Sequence, residues 1–293
     1  MPEFSEELKR LQAMTESYLA EQFTQQAEYG VLLEAMRYSL MAGGKRIRPV
    51  LVMAFCEACG GSAETALPAA GAIEMIHTYS LIHDDLPCMD NDDYRRGMLT
   101  NHKVYGEDIA TLAGDALQPA AFRTLSLLSV SPAQTLRCVR ILAEAAGEHG
   151  MVAGQILDLS GETRALTEAE LREVHLHKTG DLIRAACQMG TVLGGGSEEQ
   201  INAAGDFALH LGMAFQIRDD ILDCVGTAEE LGKPIGSDAE NGKSTFVTLF
   251  GLDRCQELVA QETDLALDAL QNGGFIRTDF LEKLAKSMVS RRK

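Results

Sequence analysis

The stretch LIHDDLPCMDNDDYRRG, residues 81–97, places Asp84, Asp85, Asp90, Asp92 and Asp93 within ten positions and follows them with Arg95 and Arg96. Like charge packed this tightly repels itself unless something positive sits among the carboxylates. A second acidic set, FQIRDDILD (215–223), lies inside an apolar-periodic run. On a helix Asp219 and Asp223 share a face, with Gln216 one turn earlier on the same side. A solvated acidic stripe has the same spacing, so that pair alone does not separate surface from site. Carboxylate oxygens suit a hard cation, magnesium or manganese, and magnesium takes one or two carboxylates plus substrate phosphate oxygens. Two sparse sets of this kind suggest metal ions shared with a diphosphate.

Other metal and phosphate motifs fail on spacing. After Asp90 there is no glycine at the sixth position of a calcium loop and no glutamate at the twelfth. No thiol and histidine set stands at zinc spacing. The tail GKST (242–245) lacks the upstream glycine of a phosphate-binding loop. Basic residues are isolated instead: Lys45, Arg46 and Arg48 in GGKRIRP (43–49), Arg95 and Arg96, Lys178 in HKTG, Lys233 in GKP, and Lys243. Any one of these is an ordinary surface residue. Together they offer arginine forks and point-charge lysines to phosphate.

The elements that must position these groups read as long helices. Proline is scarce, alanine, leucine, glutamate and glutamine are plentiful, and β-branched runs are few. SPAQ (131–134), TEAE (167–170) and SEEQ (197–200) are helix starts in which Ser or Thr and a glutamine or glutamate cap each other. Breaks fall at Gly43-Gly44, Gly60-Gly61, Gly194 to Gly196 and Gly273-Gly274. VLVMAF (50–55) passes for a buried strand, but Pro49 before it and the CEAC beyond it fit a helix better. HTYSLIHDDL reads as a helix stopped by Pro87, so Asp84 and Asp85 stand at a helix C-terminus, where the dipole already disfavours negative charge. No strand–turn–strand pattern and no domain linker is evident. The reading is one all-α domain over 1–293, with roughly ten or more helices.

The net charge of −17 argues against a nucleic-acid or anionic-membrane binder. No apolar run approaches the roughly 18 residues of a spanning helix, and MPEFSEELKR lacks a signal peptide. Seven scattered cysteines predict reduced thiols and a cytoplasmic location. Cys56 and Cys59 read as two small buried residues on a helix rather than a metal or redox pair.

Taken in order, GGKRIRP (43–49), EMIHTYSLIHDDLPCMDNDDYRRG (74–97), GDALQ (114–118), HKTG (177–180), FQIRDDILD (215–223) and GKPIGSDAENGKST (232–245) resemble the short-chain trans-prenyltransferases, the polyprenyl diphosphate synthases. The likeness covers nearly the whole chain and is greatest to bacterial farnesyl diphosphate synthases. It implies an isoprenoid-synthase bundle around a deep central cavity, a homodimer, and condensation of an allylic diphosphate with isopentenyl diphosphate. It further implies three magnesium ions per site, with manganese able to substitute. The implied metal ligands are Asp84, Asp85, Asp90, Asp219 and Asp223. Arg95, Lys178, Thr179, Gln216 and Lys233 are implied for the allylic diphosphate. Gly44, Lys45, Arg48, His77 and Arg96 are implied for isopentenyl diphosphate, and Asp84, Asp90, Arg95, Lys178, Asp219 and Lys233 for catalysis. Asp92 and Asp93 are expected at the entrance or in solvent.

Product length in the family depends on what plugs the cavity below the first aspartate motif. Tyr79 and Ser80 lie five and four residues before Asp84, roughly 7 Å down the helix. A ring at that depth, with Pro87 and Cys88 as the insertion seen in short-chain members, implies the fifteen-carbon farnesyl product. Tyr79 as a mere packing aromatic leaves the twenty-carbon geranylgeranyl product open. A terpene cyclase lacks the isopentenyl diphosphate site, and a non-catalytic subunit has eroded aspartates, so both fit less well. KSTFV (243–247) departs from the family's K-x-T-Y-P, which questions the helix after Lys243. The resemblance implies that the basic tail SRRK (290–293) closes over isopentenyl diphosphate, and simple fraying of a terminus is the alternative.

Overall fold

The computed structural model describes residues 2–162, 164–225 and 244–290. They are almost wholly helical: α1 (Pro2–Ala20), α2 (Gly30–Leu40), α3 (Ile47–Ala58), α4 (Ala63–Asp84), α5 (Asn101–Tyr105), α6 (Glu107–Ser126), α7 (Pro132–Ala146), α8 (Met151–Gly161), α9 (Glu168–His175), α10 (Asp181–Leu193), α11 (Glu198–Val225), α12 (Phe246–Phe250), α13 (Leu252–Asn272) and α14 (Asp279–Ser290). The start signals work as read. Ser131 caps α7 and Thr167 caps α9, each with its third residue bonding back. Ser197 and Gln200 make the same reciprocal pair before α11.

One local departure from the sequence reading is a short hairpin in which Tyr94–Arg95 pairs with Met98–Leu99. Arg96 (φ 53°) and Gly97 (φ 77°) form its two-residue turn in the left-handed region that such hairpins require. Two residues per strand carry no alternation for a sequence to show.

Helices α4 and α10 lie at the centre, α4 packed on α3 and α6, and α10 on α3, α7 and α11. Residues 50–55 are wholly helical and buried, because that segment is covered on every side. A second, smaller core of Leu171, Val174, Ile217, Ile221 and Phe246 ties α9, α11, α12 and α13 together. No described helix is long and apolar enough to cross a membrane. Cys56 and Cys59 are free, and burial pushes their thiols up to about 12 and about 11, which makes them unreactive.

Candidate active site

Helix α4 ends at Asp84, with Asp85 as its C-cap and Pro87 barring another turn. The chain then doubles back, and the Asp90 N–H donates to the Asp84 carbonyl at 2.9 Å, returning Asp90 to the helix end. Gln155 of α8 donates to the Asp84 carboxylate. Asp85 is engaged elsewhere. Asp85 is 3% exposed, and its carboxylate accepts from Arg95 Nε at 2.7 Å. Burial works against the Arg95 charge, and the carboxylates of Asp85, Asp84 and Asp92 outweigh it. Asp92 and Asp93 are exposed, paired with Arg95 and Lys103.

Lys178 and Thr179 sit in a π-turn, Leu176–Gly180, between α9 and α10. Such a turn inserts a residue into the helical ladder and re-aims its side chains. Lys178 Nζ donates to Asp158 of α8 at 2.6 Å. Burial disfavours the ammonium, but Asp158, Asp84 and Asp90 together hold its pKa above the ordinary value. The turn and α8 touch at Gly154, where a Cβ would lie 2.2 Å from the Lys178 backbone nitrogen. Beside Lys178 opens a cavity of about 250 Å³, lined by Asp158, His175, Gln216, Asp219 and Asp220. The first acidic set acts on Lys178 from one side, and the second shares a cavity with it.

Within α11, Asp220 and Asp223 are buried. Asp220 accepts a 2.7 Å bond from the Phe246 N–H, fastening the start of α12 to α11. The Phe246 ring, fully buried, stacks on His175 at 5.6 Å. Burial pushes the His175 imidazole down to about 4. Thr245 caps α12 by bonding Thr248 N–H, so the helix forms here without the family's tyrosine and proline. Lys233, Lys243 and the tail beyond Ser290 lie outside the described residues.

A basic group gathers above α4. Arg46 is buried and spoken for, bonded to Glu74 and Glu16 at 2.7 Å each and to the Leu40 carbonyl. Arg48 is not spoken for: its Nε is buried with no hydrogen-bond partner among the described residues. Arg96 donates to the Gly43 carbonyl, and its guanidinium leaves room for no side chain at Gly44. Burial lowers the pKa of both Arg48 and Arg96, helped by Arg96 at Arg48 and by Arg46 and Arg95 at Arg96. Burial, then Arg48 and Arg96, drive His77 well below its ordinary value, so its imidazole is neutral. Lys45 is exposed beside them. Further down α4, Tyr79 is 6% exposed and Ser80 donates to the His77 carbonyl at 2.8 Å.

Sequence reasoning did not pick out Gln155, Asp158 and His175. GQILD (154–158) held a signal, since Gln155 and Asp158 are one turn apart and share a helix face. Their partners, Asp84 and Lys178, are distant in sequence.

The chain matches the polyprenyl synthetase family over residues 30–272. It is 50% identical over 244 residues to a farnesyl diphosphate synthase of Geobacillus stearothermophilus, covering 82% of each chain. It is also 50% identical over 244 residues to the large subunit 1 of a heterodimeric chloroplastic geranylgeranyl pyrophosphate synthase of Arabidopsis thaliana, covering 81% of this chain and 66% of that one. A solved FPP/GFPP synthase from Zymomonas mobilis superposes with a TM-score of 0.87 at 34% identity, covering 98% of this chain and 99% of that one. The helical frame, the two acidic sets around Lys178 and these likenesses agree: the chain belongs to the polyprenyl synthetase family and is a prenyltransferase.

Proposed function

We propose that the chain, as one synthase domain over 1–293, condenses dimethylallyl and then geranyl diphosphate with isopentenyl diphosphate to give farnesyl diphosphate. The observation that carries this reading is the placing of Lys178, bonded to Asp158, in the field of Asp84 and Asp90, and lining one cavity with Gln216 and Asp219. A diphosphate seated there meets a fixed cation and carboxylates from two helices.

Among the described residues no three or more His, Cys, Asp and Glu side chains gather into a metal cage. Asp84, Asp90, Asp219 and Asp223 are all carboxylates, a donor type that fits magnesium, which binds through one or two carboxylates and completes its shell with water and phosphate oxygens. Asp84 and Asp90 would hold it on one wall and Asp219 and Asp223 on the other, three ions in all, with manganese able to substitute. Asp85, from the same motif, holds Arg95 in this arrangement. Magnesium, when bound, supplies Lewis-acid stabilisation of charge on the leaving diphosphate.

Arg95, Lys178, Thr179, Gln216 and Lys233 bind and orient the allylic diphosphate. Its carbon–oxygen bond breaks with the electron pair on the departing oxygen. The double bond of isopentenyl diphosphate attacks the allylic cation, a carbon–carbon bond forms, and the adjacent proton passes to the released diphosphate while its bonding pair restores a double bond. Arg48, Arg96 and Lys45 neutralise the isopentenyl diphosphate beside Gly44. The orphaned Arg48 Nε supports this role, since an unpaired buried donor is stabilised by an anion. Neutral His77 adds a hydrogen bond without further charge. Tyr79 floors the cavity, with Ser80 leaving little extra room. A geranylgeranyl product is the second reading, favoured by the likeness to the plant enzyme.

The partner we propose is a second copy of this chain. Val152, Ile156 and Leu159 stand on α8 at 45%, 61% and 38% exposure, an apolar strip that a homodimer would cover. The free cysteines agree with a cytoplasmic setting. The test is Asp84→Ala and Asp219→Ala. Each is expected to keep the helical circular dichroism spectrum and lose turnover by about a hundred- to a thousandfold, the scale of losing transition-state charge stabilisation. Near-normal rates in either would remove the metal roles.

A further inference from the structure

We propose that His83 and Gly114 form a brace that fixes the pose of Tyr79 and thereby sets product length, an inference that rests on the farnesyl reading above. Tyr79 and His83 are four residues apart on α4 and share a face. Their rings meet edge to face, centroids 5.8 Å apart at 74°. His83 Nε2 lies 3.0 Å from the Thr111 carbonyl of α6. A carbonyl only accepts, so Nε2 carries the proton and the imidazole is pinned to α6. Asp115 reaches the same nitrogen at 3.8 Å from the exposed rim.

The imidazole fits only because residue 114 has no side chain. A Cβ there would lie 2.1 Å from His83 Nε2, inside any real contact distance. The sequence of supports is therefore Gly114 as socket, His83 as strut and Tyr79 as the ring held in place. Tyr79 is buried, and its ring packs edge to face on that imidazole. His83 acts through Tyr79 and not on substrate, which makes it a positioning residue for specificity.

The experiment gives purified full-length Tyr79→Ala, His83→Ala and Gly114→Ala proteins dimethylallyl diphosphate, isopentenyl diphosphate and magnesium. Product alcohols are sized at matched turnover, with melting temperature recorded alongside. Tyr79→Ala is expected to make mainly products longer than fifteen carbons. His83→Ala is expected to raise the ratio of twenty- to fifteen-carbon product by about two- to tenfold, the range of one edge-to-face ring contact. Gly114→Ala, which unseats the imidazole without deleting it, moves the ratio the same way and decides the matter if His83→Ala does not fold. Long products from Tyr79→Ala with unchanged ratios in the other two would leave the floor standing and overturn the brace. A fifteen-carbon product from Tyr79→Ala would overturn floor and brace together.

Discussion

Asp219 and Asp220 are adjacent in sequence and do different work. Both line the cavity beside Lys178, but Asp220 also spends a carboxylate oxygen on the Phe246 N–H at 2.7 Å. An amide oxygen can accept that bond, so Asp220→Asn should retain most activity and stability. Asp220→Ala leaves a buried donor unmet and should lose about 1.5–3 kcal/mol of stability, read by urea denaturation. Equal loss in both variants would make Asp220 a charge-dependent ligand instead. A pH prediction follows from His175, held at about 4 in the fold against about 6.5 in an unfolded chain. Between those values the unfolded state binds more protons, so stability is full above about pH 6.5 and falls as pH drops toward 4. The slope from this one group is at most about 1.4 kcal/mol per pH unit. His77, also depressed by burial, adds in the same sense. His175→Phe, which keeps a ring against Phe246, should flatten the fall in urea midpoint between neutral pH and about pH 5; an unchanged slope would contradict it.

At the scale of elements, the site depends on how closely α8 approaches the π-turn. Gly154→Ala puts a methyl against the Lys178 backbone and must push the two apart. A loss of about 1–3 kcal/mol is expected, with turnover falling because Lys178 no longer meets Asp158; a thermal melt and a rate at saturating substrate check both. Element starts and stops were readable in the sequence because caps and prolines act locally: Ser131, Thr167 and Pro87 behave as their types dictate. The π-turn was not readable. HKTG has no proline, its one glycine does not separate a π-turn from an ordinary helix, and the extra residue is stabilised by α8 packing from outside. The same holds for Gln155 and Asp158, whose helix face was legible but whose partners come from α4 and the π-turn.

For the whole molecule, the apolar strip of Val152, Ile156 and Leu159 lies on the same helix, α8, whose Gln155 and Asp158 hold Asp84 and Lys178. Ile156→Glu, at 61% exposure, should leave the fold intact and turn a dimer into a monomer in sedimentation at micromolar concentration, since a charge in a covered apolar face is unpaired. A variant that sediments as the wild type does would place the interface elsewhere. The all-α architecture was legible from composition and breaks, because helices this long announce themselves by what they lack. The family was legible only when both aspartate motifs were read with the basic segments between and before them. Product length was the least legible property, since on the proposed reading it turns on the pose of one ring, Tyr79, against His83 on the same helix. The most direct test of the central claim is therefore the sized product. Purified protein receives dimethylallyl diphosphate, isopentenyl diphosphate and magnesium, with a parallel sample in EDTA. A fifteen-carbon alcohol that disappears with EDTA is the predicted result, and condensation that proceeds unchanged without metal, or no condensation with it, would contradict the account.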